Sequence, residues 1–127
     1  MKILVVDDNE NIRELVKELL LFLGHQVQET AKGTEAIAML EHFIPDIVIT
    51  DRRMPGMSGE ELIRKIKESL PHLPIILMTG DHLSIAERVV IAAAGASSIL
   101  SKPFSEKELE RALDEVIRIS PPVAFDL

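Results

Sequence analysis

The chain has 127 residues, which suits one domain with a core of its own and leaves little room for a second. Apolar side chains make up 46% of it, nearly all aliphatic, and with four Phe and no Trp or Tyr it is poorly equipped to stack on single-stranded bases. A net charge of −7 repels phosphate backbones, which argues against direct nucleic-acid binding, and the lack of Cys excludes disulfides and thiolate metal sites.

The first apolar run, residues 3–6, is short, continuous and β-branched, as a strand buried on both faces requires. It is too short for a signal peptide, and no later stretch approaches the ~20 apolar residues of a membrane span, so no membrane association and a cytoplasmic location are expected. Ile12, Leu15, Val16, Leu19, Leu20 and Leu23 follow at three- and four-residue spacing, one stripe of a helix that Gly24 stops. Residues 25–29 alternate weakly and predict a strand at a sheet edge. A helix over residues 34–43 turns Ile37 and Leu40 inward, and residues 47–50 form a second buried strand.

Ser58 and Glu61 have capping-box spacing and open a helix that ends before Pro71. Residues 75–78 read as a strand, and Ser84 with Glu87 opens the next helix, which runs out at Gly95. Ile99 and Leu100 form a short last strand. Ser105 with Glu108 opens a final helix that buries Leu109, Ala112, Leu113, Val116 and Ile117, and Pro121–Pro122 lie beyond it in a tail. Arg64, Lys65 and Lys67 make an ordinary solvated helix face. Met54 and Met57 are expected to pack beneath their loop, and Gly56 and Gly59 to serve loop and helix-start geometry. Five alternating strand-helix units predict an α/β fold, a doubly wound five-stranded parallel sheet between two layers of helices. Right-handed crossovers follow from that arrangement.

In such a sheet every strand finishes at the same rim, where ligands bind. The buried runs here end in Asp7–Asp8, Asp51, Thr79 and Lys102, so the topology gathers three carboxylates, a hydroxyl and an ammonium. Two unit charges ~5 Å apart repel by ~3 kcal/mol at an effective dielectric near 20, and one Lys offsets only part of that. A divalent cation resolves the conflict, and all-oxygen ligands favour Mg²⁺. A carboxylate beside it can attack phosphorus and form an acyl phosphate, with Thr79 and Lys102 meeting the phosphoryl oxygens. The four His are scattered, and none pairs at ligand spacing.

Asp7–Asp8, the stretch Asp51-Arg52-Arg53-Met54-Pro55-Gly56-Met57-Ser58-Gly59, Thr79–Gly80 and Lys102-Pro103-Phe104 together resemble the receiver domain of two-component response regulators. The likeness spans residues 2–119 and implies a receiver over residues 1–119, with residues 120–127 as tail or linker. It further implies the flavodoxin-like strand order 2-1-3-4-5 and a cis Lys102–Pro103 peptide bond. By the resemblance Asp51 is the phosphoacceptor, Asp8 the main metal carboxylate with Asp7 assisting, and Arg53 a metal ligand through its backbone carbonyl. Thr79 is then the switch hydroxyl, and Lys102 the phosphate-binding cation. The implied donor is a phosphohistidine on a sensor histidine kinase or phosphotransfer protein. The implied output is a partner or output domain controlled through the surface of the fourth helix, fifth strand and fifth helix, where a homodimer is also expected. Catalysis is expected to stop at self-phosphorylation and slow self-dephosphorylation.

Three departures from the family pattern stand out. Ile99 replaces a frequent aromatic three residues before the Lys, Gly80 replaces a common Ala after the Thr, and Ser97–Ser98 replaces a frequent acidic pair. Arg53 and Asp81 flank the site entrance, where a pair between them would hinder an attacking water and prolong the phosphorylated state. A stand-alone receiver and the N-terminal regulatory part of a larger regulator both fit. A phosphatase of the haloacid dehalogenase type would want an Asp where Arg53 stands. A flavin carrier would want a phosphate-cradling loop in place of Asp7-Asp8-Asn9-Glu10.

Overall fold

A computed structural model describes residues 1–119; the expected tail, residues 120–127, lies outside the described residues. The elements alternate throughout: β1 (Lys2–Val6), α1 (Glu10–Phe22), β2 (Gln26–Thr30), α2 (Gly33–Met39), β3 (Ile47–Asp51), α3 (Gly59–Ser69), β4 (Ile75–Thr79), α4 (Ile85–Ala94), β5 (Ser98–Ser101) and α5 (Glu106–Ile119). All strand pairs are parallel, in the order β2-β1-β3-β4-β5, so the predicted sheet and its order hold. The weakly alternating strand sits at the edge, as its pattern requires.

The side-chain period of two sorts the core onto the two faces of the sheet. Ile3, Val5, Ile47, Ile49, Ile76 and Met78 pack with α1 and α5, while Leu4, Val6, Val48, Ile75 and Leu77 pack with α2, α3 and α4. Side chains on both faces are fully buried, which is why the three central strands read as unbroken apolar runs.

Three local readings need correction. Leu15 does not belong to the buried stripe of α1: it is 51% exposed, because it lies about 100° round the helix from Val16, the residue at the centre of the buried face. The second helix ends at Met39. Residues 40–43 continue as hydrogen-bonded turns, since Pro45 disfavours helical geometry just ahead of it, and Phe43 still packs against the core. At α3 the capping box is half formed: Ser58 Oγ accepts the Glu61 amide at 3.2 Å, without the return bond from Glu61. The boxes at Ser84–Glu87 and Ser105–Glu108 are closed in both directions.

Candidate functional site

Strand ends and the loops behind them build the site. Asp7 follows β1 directly, and its backbone is held on both sides: its amide donates to the Thr30 carbonyl at 3.1 Å, and its carbonyl accepts Arg13 Nη1 at 2.8 Å. Its side chain is fully buried, with Oδ1 accepting the Asn9 amide at 2.9 Å. Asp8, one residue on, is exposed. Asp51 is the last residue of β3 and is 8% exposed. One carboxylate oxygen from each of Asp7, Asp8 and Asp51 lies within 4.8 Å of the others, the one such group of acidic or imidazole side chains among the described residues.

Lys102 closes the group. Its amide donates to the Thr79 carbonyl at 2.8 Å, and its Nζ donates to Asp51 Oδ1 at 2.8 Å and to Asp7 Oδ2 at 3.3 Å. The Lys102–Pro103 peptide is cis, as expected. Burial opposes the Lys102 charge, yet the hydrogen bond to Asp51 and the charges of Asp7 and Asp51 together hold its pKa above the ordinary lysine value. Burial likewise pushes the Asp7 carboxyl up. The Asn9 amide and Lys102 pull it back, while the Asp51 charge reinforces the rise.

Thr79 ends β4, one residue beyond Met78, which lies opposite Asp51 in the ladder. It is 2% exposed, and its hydroxyl accepts the Asp81 amide at 3.0 Å, which leaves the hydroxyl proton to be donated. Gly80 is roomy: a methyl group there would find its nearest neighbour, Lys102 Cβ, at 4.0 Å. Ile99, in the place of the frequent aromatic, is half-buried against the α2–α4 side of the core.

The loop after β3 is set by close packing. A Cβ on Gly59 would stand 2.4 Å from the Asp51 carbonyl oxygen, so only glycine lets α3 start this near the end of β3. Met54 is buried under the loop, and Met57 packs on the same core. Arg53 is exposed and its Nε meets Asp81 Oδ2 at 2.5 Å, so the pair expected at the site entrance is formed. The Arg53 backbone carbonyl accepts no backbone hydrogen bond among the described residues. Sequence reasoning missed two groups. Arg13 pins the Asp7 carbonyl, and Arg52 lies between Glu60, Asp81 and Glu87 at 3.4, 3.4 and 3.1 Å. These partners are brought together by packing alone; the one readable hint was a basic residue on each side of an acidic rim.

The model of the response regulator receiver domain matches residues 3–114. The chain belongs to that family. This receiver is 40% identical over 120 residues to the chemotaxis protein CheY-3 of Vibrio cholerae, covering 91% of each chain. It is 36% identical to the response regulator MprA of Mycobacterium avium, covering 96% of this chain and about half, 53%, of that longer protein. It also superposes on the crystal structure of the receiver domain of a sensor histidine kinase from Pseudomonas aeruginosa, with a TM-score of 0.83 and 31% identity over 92% of this chain and 97% of that one. That crystal structure has a magnesium ion coordinated in its active site cleft. Among the described residues no helix is long and apolar enough to cross a membrane.

Proposed function

We propose that this receiver takes a phosphoryl group onto Asp51 from a phosphohistidine donor, a sensor histidine kinase or a phosphotransfer protein. The observation that carries the reading is the gathering of the Asp7, Asp8 and Asp51 carboxylates within 4.8 Å, with the Lys102 ammonium 2.8 Å from Asp51. Three carboxylates against one ammonium leave two negative charges in a partly buried cleft, an arrangement that suits a hard divalent cation with oxygen ligands. Asp7, Asp8, Asp51 and the Arg53 carbonyl are the groups that would hold Mg²⁺. When bound, the ion would neutralise the carboxylates and the charge of an incoming phosphoryl group.

The chain's own residues supply the rest. An Asp51 carboxylate oxygen attacks phosphorus; the new P–O bond forms as the P–N bond breaks, and the donor imidazole leaves with the bonding pair. Lys102, already bonded to Asp51, pairs with a phosphoryl oxygen, and Thr79 donates its free hydroxyl proton to another. Arg53 stands where a dehalogenase-type phosphatase would need an acid, which supports acceptance and slow hydrolysis over multiple turnover.

The receiver unit is residues 1–119, followed by a linker or tail, in a cytoplasmic protein. Output passes through the face made by α4, β5 and α5, where Ile85 is 83% and Val89 61% exposed, apolar surface suited to a partner, an output domain or a second copy. The coverage of both a short and a long relative keeps a stand-alone receiver and the regulatory part of a larger regulator in play. Incubation with Mg²⁺ and acetyl phosphate followed by intact mass measurement tests the central step. One phosphoryl mass is expected in the wild type and none in Asp51→Ala; equal uptake by both would refute it.

A further inference from the structure

Leu83 is buried just ahead of α4, but the first half of the helix itself is held by polar contacts and buries no residue. Of the helix only Ile91 and Ala94 are buried, both in its second half, while Ile85, Val89 and Val90 face solvent. A helix half without buried apolar contact has low local stability. Beyond the buried Leu83, two polar devices fix it here: the Ser84–Glu87 capping box, and an ion pair between Glu87 Oε2 and Arg52 Nη1 at 3.1 Å.

Arg52 is unusually well placed to act as that anchor. Its amide donates to the Met78 carbonyl at 2.9 Å and its carbonyl accepts the Gly59 amide at 2.8 Å, so its backbone is part of the frame that holds Asp51. Its guanidinium, on a side chain 14% exposed, also reaches Asp81 Oδ2 and Glu60 Oε2, each at 3.4 Å. Asp81 is the residue whose amide donates to the Thr79 hydroxyl. One guanidinium therefore joins the phosphoacceptor strand, the loop after β4 and the first turn of α4.

We propose that Arg52 is a positioning residue that tethers the start of α4 to the phosphoacceptor strand, and that phosphoryl capture at Asp51 releases the tether through Asp81. The inference rests on the acceptor reading above. Phosphoryl capture draws Thr79 Oγ itself toward the phosphoryl oxygen by rotation about χ1, and the Asp81 amide, bonded to that oxygen at 3.0 Å, follows it or loses its acceptor; either movement shifts the carboxylate that shares the guanidinium with Glu87. Glu60 offers the guanidinium another place, because its buried Oε1 has no hydrogen-bond partner. The apolar turn carrying Ile85 and Val89 is then free to re-seat.

Amide hydrogen exchange on the whole chain, with and without Mg²⁺ and acetyl phosphate, tests this, with intact mass read on the same samples. In the wild type, phosphoryl uptake should speed exchange across residues 85–90 up to about fivefold, while residues 62–66 of α3 stay protected. Glu87→Gln keeps the acceptor that the capping box needs and removes the charge. In that variant and in Arg52→Gln, exchange across 85–90 should already be up to about fivefold faster before phosphorylation, and phosphorylation should add little. Uptake with unchanged exchange at 85–90 would sink the tether alone, as would wild-type exchange in Glu87→Gln or loosening spread equally over α3. Absence of uptake in the wild type would sink the acceptor reading and the tether together.

Discussion

Asp7 and Asp8 are neighbours in sequence with opposite surroundings. Asp7 is sealed in and held by Asn9 and Lys102, so its carboxylate keeps one orientation; Asp8 faces solvent, and under the proposed function it is the carboxylate that an arriving ion would meet first. The Arg53–Asp81 pair is formed, and the proposed role for it is to hinder a water attacking the phosphorylated Asp51. Loss of the acyl phosphate should therefore be faster in Arg53→Ala, by up to about fivefold, the rate equivalent of the ~1 kcal/mol at most that an exposed pair supplies. Following the decay of the phosphorylated mass after donor removal measures it, and identical decay would discard the role. Asp7, Asp8, Asp51, Thr79 and Lys102 were legible without coordinates because each follows a buried run, and parallel topology sends such residues to one rim. Arg13 and Arg52 were not, since their partners are six to thirty-five positions away along the chain and meet them only after the loops pack.

At the level of elements, the legible features were those fixed by neighbours in sequence. Residues 3–6, 47–50 and 75–78 carry enough β-branched and aliphatic side chains to declare buried strands. Ser84 and Ser105 declare helix starts that the structure closes in both directions. What failed was decided by position around an axis or by the next loop: Leu15 rotated off the buried face, and α2 stopped early ahead of Pro45. Ser84→Ala should cost about 1 kcal/mol or less, below the upper range for cap removal, because α4 can fray locally without unfolding the domain. Urea unfolding should show that small loss as a lower midpoint at unchanged slope. A drop of several kcal/mol would mean that the start of α4 belongs to the cooperative core.

Considered as one body, the molecule places its electrostatic tension at a single end. Three carboxylates share one ammonium there, a repulsion that the proposed divalent cation would relieve. Magnesium at a hundredfold excess over its dissociation constant should add about 2.7 kcal/mol of stability, seen as a rise of several degrees in Tm relative to EDTA. Asp8→Asn should melt higher than the wild type in EDTA and gain less from magnesium, a crossing pattern that calorimetry would reveal; parallel behaviour of the two proteins would contradict it. The long reach of Lys102, 95 positions from Asp7 and 51 from Asp51, has a further consequence for biosynthesis. A chain that ends before the fifth strand carries all three acids and lacks the lysine that pairs with two of them. The last strand to be made therefore completes the sheet and the charge balance of the site together.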